Sequence, residues 1–375
     1  RDYKVTGVQT CALPIYLQYA CPGTQYNTYA DGVYTSRSPL GPFVRQASNP
    51  FSAKPGGFIT GAGHGSTIAD TYGNWWHAST MRISVNYDFE RRVGLFPAGF
   101  DKDGVLYCNQ NFSDYPHRIP AGKFDAASQQ PEWMLLSYKK PVTASSTAEN
   151  SSPELAVNEN CRSWWSAAGT EPGEWLCVDL GKDSDVRAIQ VNMVDEKLVV
   201  DFPAGSYGDD RKTRHIETRP QISHYTVETS VNGADWTVRE TVARECSNGY
   251  YEYAGGIRAR YVRVTGGELP YGQPLRISGL RVFGNGEGAK PAQAEAAGAR
   301  VDALDAKITW KHNENAQGCN VRYGAAPDKL YLSWLVYDAD EVTLSTLTAG
   351  QEYYVCVDSF NENGITPGKI FKLEG

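Results

Sequence analysis

The sequence predicts an all-β protein, on three observations. Aromatic residues make up 12% of the chain, with 23 tyrosines and 9 tryptophans, and such side chains favour half-buried strands. The 37 glycines and 20 prolines punctuate it at the spacing of tight turns. Apolar residues alternate over short runs such as Tyr225–Val231 and Arg260–Val264, the period of a strand with one buried face.

At 375 residues, two or three domains are expected. A net charge of −7 and a pI near 5.5 argue against a polyanionic partner, and no Lys/Arg run points to nucleic acid or an anionic membrane. No apolar run approaches the ~20 residues that span a bilayer. The eight cysteines, at positions 11, 21, 108, 161, 177, 246, 319 and 356, show no zinc spacing. Buried free thiols are their default reading, and one or two disulfides become an option if the protein is exported.

Residues 1–15, RDYKVTGVQTCALPI, lack both strand or helix periodicity and the charged start and apolar core of a signal peptide. The run VTGVQTCALPI resembles the translation of a sequencing-adapter oligonucleotide. The expectation is an adapter artefact, with Tyr16 an internal residue of a longer protein.

From Tyr16 to Asp125, short strands follow at hairpin spacing. Tyr16–Ala20 is a strand turned by Pro22-Gly23, and Tyr29–Ser36 is the next. Ser38–Pro42 turns the chain into Phe43-Val-Arg. Further strands are expected at Ser66–Ala69, Trp75–Ser79, Val93–Phe96 and Val105–Asn109, the last two joined by the Asp101-Lys-Asp-Gly104 turn. Glycines flank His64, allowing a sharp turn and close approach.

The succession Tyr34–Phe43, Gly63-His-Gly-Ser66, Asp70-x-x-Gly-x-Trp-Trp76 and Phe100-Asp-Lys-Asp-Gly104 resembles the C-terminal part of a glycoside hydrolase family 43 domain. That resemblance implies a partial five-bladed β-propeller and inverting cleavage of arabinofuranosides, xylosides or related glycosides. Inversion needs one protonated carboxyl group and one carboxylate ~6.5–9.5 Å apart, with a water between them. The resemblance places the family's base, its modulating aspartate and its acid glutamate (in an E-G-P motif) before Tyr16, so no catalytic residue is assigned in this chain. The carboxylates within reach are Asp31, Asp70, Asp88, Glu90, Asp101, Asp103 and Asp114. Asp31, Asp70 and Asp101 have turn settings, where an aspartate bonds its own backbone.

The resemblance also sets His64 near the propeller axis beneath the active site, associated with a central ion or water. A neutral imidazole suits either role, and Ca²⁺ is the candidate ion. No other cofactor is required. Arg92 is a second candidate for the lining of that centre, against a solvated pairing of the Arg91-Arg92 segment with Glu90.

Residues 126–136 read as a linker. Beyond them Lys140–Ser146, Ala156–Asn160, Ser163-Trp-Trp-Ser166, Trp175–Gly181, Tyr225–Gly233, Trp236, Arg260–Val264 and Ile277–Gly284 appear in order. Over 137–285 the series resembles a coagulation factor 5/8 type C, or discoidin-like, carbohydrate-binding module, which implies a jelly-roll β-sandwich. The family often has Asp-Gly in its calcium loop where this chain has Asn158-Glu159, and a late glutamate where it has Gly279. Fewer carboxylates weaken a hard-cation site, so calcium is not expected here. Sugar binding needs an exposed aromatic face and nearby polar groups. Trp164, Tyr207, Arg214, His215 and Tyr271 are the loop candidates, while Trp165 and Trp175 read as core.

Residues 286–290 form a glycine-containing hinge. In 291–375, Ile308-Thr-Trp310, Cys319–Tyr323, Leu347–Tyr353 and Val355-Cys-Val357 resemble a fibronectin type III domain, an immunoglobulin-like sandwich. Trp310 would be its core tryptophan and Tyr353 its corner tyrosine. The function expected is that of a secreted glycoside hydrolase's C-terminal portion, extracellular, periplasmic or on the cell surface, a monomer whose partner is a polysaccharide or oligosaccharide. The alternative is a non-catalytic carbohydrate-binding or adhesion protein.

Overall fold

The computed structural model describes residues 14–82, 91–196, 219–246 and 248–374. The chain is all-β, and its only helical pieces are three short 3₁₀ turns among the described residues.

The first four-stranded sheet comprises β1 (Ile15–Cys21), β2 (Ala30–Ser36), β3 (Val44–Arg45) and β4 (Ser52–Ala53), with β2 bonded to the other three. The second runs β5 (Thr60–Ala69), β6 (Trp75–Arg82), β7 (Arg91–Phe100) and β8 (Leu106–Cys108) in sequential antiparallel order. Tight turns join β5 to β6 and β7 to β8, as in propeller blades. The Asp101–Gly104 turn closes β7 onto β8, with Gly104 at φ 76°. Asp31 lies inside β2, paired with Ala20, so its expected turn setting is corrected; the alternation of Tyr29–Ser36 outweighs the local Asp-Gly signal.

The middle of the chain is one eight-stranded antiparallel arrangement. Its short strands are β9 (Met134–Leu135), β10 (Val142–Ala144) and β11 (Trp165–Ser166); its long ones are β12 (Trp175–Met193), β13 (Ser223–Ser230), β14 (Thr237–Arg244), β15 (Gly249–Gly266) and β16 (Arg276–Asn285). Register shifts within β12 and β15 let these strands bend around a core of Trp165, Leu176, Val178, Ile189, Val262 and Leu280.

The C-terminal region is an immunoglobulin-like sandwich. One sheet orders β17 (Ala296–Arg300), β18 (Ala306–Trp310) and β21 (Glu341–Leu344). The facing sheet orders β20 (Leu332–Tyr337), β19 (Gly318–Gly324), β22 (Tyr354–Asn361) and β23 (Gly364–Thr366), with β24 (Ile370–Lys372) also on β22. Trp310 is buried between the two sheets. The Tyr353 hydroxyl accepts the Thr348 N–H at 3.1 Å, the corner contact expected of it.

Two stretches read as free connections are packed. Met134–Leu135 pairs with Phe283 and Gly284, and Trp133, Leu135 and Leu136 are buried. Four apolar residues in a row could not stay in water as a linker would. At the hinge, the Gly288 N–H bonds Asn363 Oδ1 at 2.7 Å, and Asn361 holds the Ala289 carbonyl at 3.0 Å.

All three regions meet at one junction. Phe112 and Tyr115, Trp133 and Phe283, and Leu335 and Phe360 form a shared apolar cluster. Beside it lie four buried charges. The Arg281 guanidinium donates to both Glu159 oxygens at 2.8 Å, to Gln190 Oε1 at 2.8 Å and to the Asp114 carbonyl at 2.5 Å. Asp114 accepts Lys54 Nζ at 3.0 Å and the Phe58 N–H at 2.6 Å. Burial alone would raise the Asp114 carboxyl, but the Lys54 and Arg281 cations outweigh it and hold it below its ordinary value. Buried charges persist only when paired and hydrogen-bonded in this way.

Candidate functional site

The stretch from Gly61 to His77 builds the most constrained part of the first two sheets. β5 carries two register shifts against β6, between Gly61 and Gly63 and between Gly63 and Ser66. Gly61, Ala62 and His64 take φ of 96°, 130° and 57°. Bulges of this kind redirect a backbone and the side chains on it.

Here the bulge turns two N–H groups onto one carboxylate. Asp31 Oδ1 accepts the His64 N–H at 2.7 Å and Oδ2 the Gly65 N–H at 2.8 Å. His77 Nε2 lies 3.0 Å from Oδ2; the carboxylate only accepts, so Nε2 carries the proton. His77 Nδ1 sits 2.9 Å from the Thr67 hydroxyl, which lies 3.1 Å from Gln18 Oε1. Asp31 and His77 are buried, whereas the His64 side chain is exposed.

Close packing explains the flanking glycines. A Cβ on Gly65 would stand 2.4 Å from His77 Nε2 and 2.5 Å from Asp31 Oδ2, and one on Gly63 would stand 2.8 Å from the Tyr29 ring. What approaches closely is the protein itself. His64 is thus presented on the surface by a backbone anchored from below. Among the described residues, no cluster of three His, Cys, Asp or Glu side chains could hold a metal ion.

The other described carboxylates of this region have structural partners. Asp70 accepts the Trp76 indole N–H at 3.0 Å, Asn74 Nδ2 at 3.0 Å and the Tyr72 and Asn74 backbone N–H groups. Led by the Trp76 bond, these lower its pKa to about 2. Asp101 is held by Lys329 and the Tyr331 hydroxyl, and Asp103 by Lys329. Asp88 and Glu90 lie outside the described residues.

The remaining candidates are dispersed. Arg92 is exposed on β7 opposite Met81. Trp164 is half-buried beside the core Trp165, whose indole bonds the Ser146 carbonyl at 3.1 Å. Tyr271 sits at φ 59° in the turn before β16. The β11–β16 register places Trp164 and Tyr271 beyond opposite ends of that pairing, so they do not share one platform. Tyr207, Arg214 and His215 lie outside the described residues. Trp175 departs from its core reading: it is half-buried on the outward face, 6.0 Å from the Arg263 guanidinium. The Glu159 carboxylate is taken up by Arg281, and Gly279 packs against Phe58.

Sequence reasoning missed Asp31, His77 and the junction charges. For Asp31 the usable signal was its place inside an alternating strand. Single charges such as Lys54, Asp114 and Arg281 in ordinary-looking segments gave none.

The family model for glycosyl hydrolases family 43 matches residues 14–106, from the residue before β1 to the start of β8. Among solved structures, the chain is similar to one described as a glycoside hydrolase, at 20% identity and a TM-score of 0.38, over 72% of this chain and 57% of that one. It therefore spans little more than half of that structure's length. It is also similar to chitosan-binding module 1 of a chitosanase/glucanase from Paenibacillus sp. IK-5, at 18% identity and TM-score 0.31, over 40% of this chain and 99% of that one. A third is the CBM32 of AlyQ in complex with 4,5-unsaturated mannuronic acid, at 21% identity and TM-score 0.29, over 40% of this chain and 98% of that one. No curated protein matches the chain.

Proposed function

We propose that residues 16–125 are blades of an inverting, family 43-type glycoside hydrolase acting on arabinofuranosides, xylosides or related glycosides. In this reading residues 137–285 are its carbohydrate-binding module and 291–375 a fibronectin type III-like spacer. The observation that carries it is the family match over 14–106, which coincides with two blade-like sheets and the His64 bulge. An enzyme of this class meets its polymeric substrate outside the cytoplasm, as a monomer.

Inverting hydrolysis needs two carboxyl groups flanking a water. Asp31, Asp70, Asp101, Asp103 and Asp114 are each engaged by hydrogen bonds or cations, which favours an acid and base supplied by further blades. The outward sheet faces support this: Ile68 is 64% exposed, Val93 81% and Leu95 59%, and neighbouring blades would cover such side chains. His64 then lines the sugar pocket.

The test is a longer form of the protein carrying further blades. It should release arabinose or xylose from nitrophenyl glycosides with inverted anomeric configuration, read by proton NMR. The present chain should be inactive; turnover by it would show that its own carboxylates suffice. The same saturated carboxylates favour a second reading, a non-catalytic carbohydrate-binding or adhesion protein. A longer form that binds glycans and hydrolyses none would establish that one.

A further inference from the structure

Among the concavities with a mixed polar and apolar lining are a cleft of about 480 Å³ at the junction of the three regions and one of about 600 Å³ on the second sheet. The second is better furnished. It lies where β6 begins and β7 ends, against β8 and residues 123–126, and is walled by Trp75, Phe100 and Phe124 with buried Tyr107 among its lining. We propose that this cleft is a carbohydrate-binding site of one or two sugar rings, separate from the surface that His64 occupies. The proposal rests on the carbohydrate-active reading above.

Its aromatic walls are ordered by their own contacts: Trp75 meets Phe100 edge-on at 5.1 Å and Trp76 meets Phe124 at 5.4 Å. Asn74 fixes the facing segment, donating to the Gly122 carbonyl at 2.8 Å and accepting the Phe124 N–H at 3.0 Å. The cleft is therefore built before any ligand arrives, which lowers the entropic cost of binding.

Its polar groups keep unused capacity. The Trp75 indole N–H makes no hydrogen bond among the described residues, in contrast to that of Trp76. Asp125 uses Oδ1 to cap Ala127 at 3.0 Å, and among the described residues its Oδ2 accepts no hydrogen bond. Lys123 donates to the Gly73 carbonyl and retains two further protons. A sugar ring matches this set, because its C–H face packs on aromatics while its hydroxyls both donate and accept. A purely apolar ligand would make no use of the Asp125 carboxylate or the Lys123 ammonium. A phosphate would face Asp125 with a single cation to hold it.

The site is distinct from His64. Trp75 pairs with Ala69, five residues along β5 from His64, which is roughly 17 Å at strand rise.

The experiment titrates the full chain with soluble xylo-, arabino- and galacto-oligosaccharides by calorimetry and tryptophan fluorescence. Trp75→Ala should weaken binding about tenfold, and Asp125→Asn severalfold. Asp125 is exposed, so its variant keeps the proposal testable if Trp75→Ala does not fold. Trp164→Ala serves as the comparison on the jelly roll. Binding that both cleft variants retain would overturn this site and leave the carbohydrate reading standing. No binding of any oligosaccharide by the parent chain would overturn both.

Discussion

Replacing Arg281 by methionine should be among the most destabilising single changes in this protein. Arg281 and Glu159 are 1% and 2% exposed, so removing the cation strands a carboxylate with little access to water. Four hydrogen bonds are lost with it, two of them to Glu159. Charge-assisted bonds contribute about 1.5–3 kcal/mol each, and breaking a buried pair from one side costs about 3–5 kcal/mol. The two estimates agree for the Glu159 pair, so about 3–5 kcal/mol is expected. For 375 residues unfolding together, an entropy of about 2.1 cal/mol/K per residue makes 1 kcal/mol about 1.3 °C, so calorimetry should show a melting point lowered by roughly 4–6 °C. Pairing the change with Glu159→Gln removes both charges and should recover part of the loss, because the uncompensated ion is gone. Since Arg281 ties the first region to the middle one beside an apolar cluster that all three regions share, the parent should melt in one transition and Arg281→Met should split it. A single unshifted transition, or a double variant no more stable than Arg281→Met alone, would refute the reasoning.

Gly65→Ala should destabilise by about 2–3 kcal/mol, in the range for overpacking a closed site, because its Cβ would meet His77 and Asp31 within 2.5 Å; denaturant unfolding that matches the parent would contradict this. Mass-spectrometric mapping of brief alkylation should find Cys21 and Cys246 modified in the native protein, since both are exposed. Cys161 and Cys177, whose burial pushes their thiols up to about 11 and about 12, should stay unmodified until the chain is unfolded. Asp70→Asn addresses acid behaviour. The folded pKa of Asp70 is lowered from 3.8 to about 2, so its contribution is full above the unfolded value and lost as pH falls through that window. The stability gap between parent and variant should therefore close between about pH 4 and pH 2, and a gap constant with pH would count against the assignment.

The all-β class was legible because alternation and turn residues act locally. Tyr225–Val231 could only be a half-buried strand, and β13 covers Ser223–Ser230. Trp310 and Tyr353 were expected from the resemblance to a fibronectin type III domain, and in the structure Trp310 is buried while the Tyr353 hydroxyl accepts the Thr348 N–H. The packing of residues 126–136 was less so, because glutamine and proline at its start hid the apolar Trp133–Leu136 run. The junction could not be read at all. Lys54, Asp114, Glu159 and Arg281 are separated by scores of residues, and each alone resembles a solvated charge. Their burial follows from how the first and middle regions pack against each other, and no local propensity encodes that.

The two histidines of the second sheet show how such docking sorts equivalent chemistry. Both lie within a short glycine-rich hairpin, and on residue type either could have been the functional one. His77 has both ring nitrogens engaged, by Asp31 on β2 and by Thr67 on β5; a ring held at both ends inside the fold has no lone pair or proton left for a ligand. Among the described residues His64 is anchored through its main chain alone, so there its backbone is fixed and its imidazole makes no hydrogen bond. That division assigns stability to Asp31 and His77 and leaves the His64 imidazole exposed on a fixed backbone. The bulge of β5 is what keeps the two roles apart: without the positive φ at Ala62 and His64, the strand would continue regularly and no pair of N–H groups would converge on Asp31.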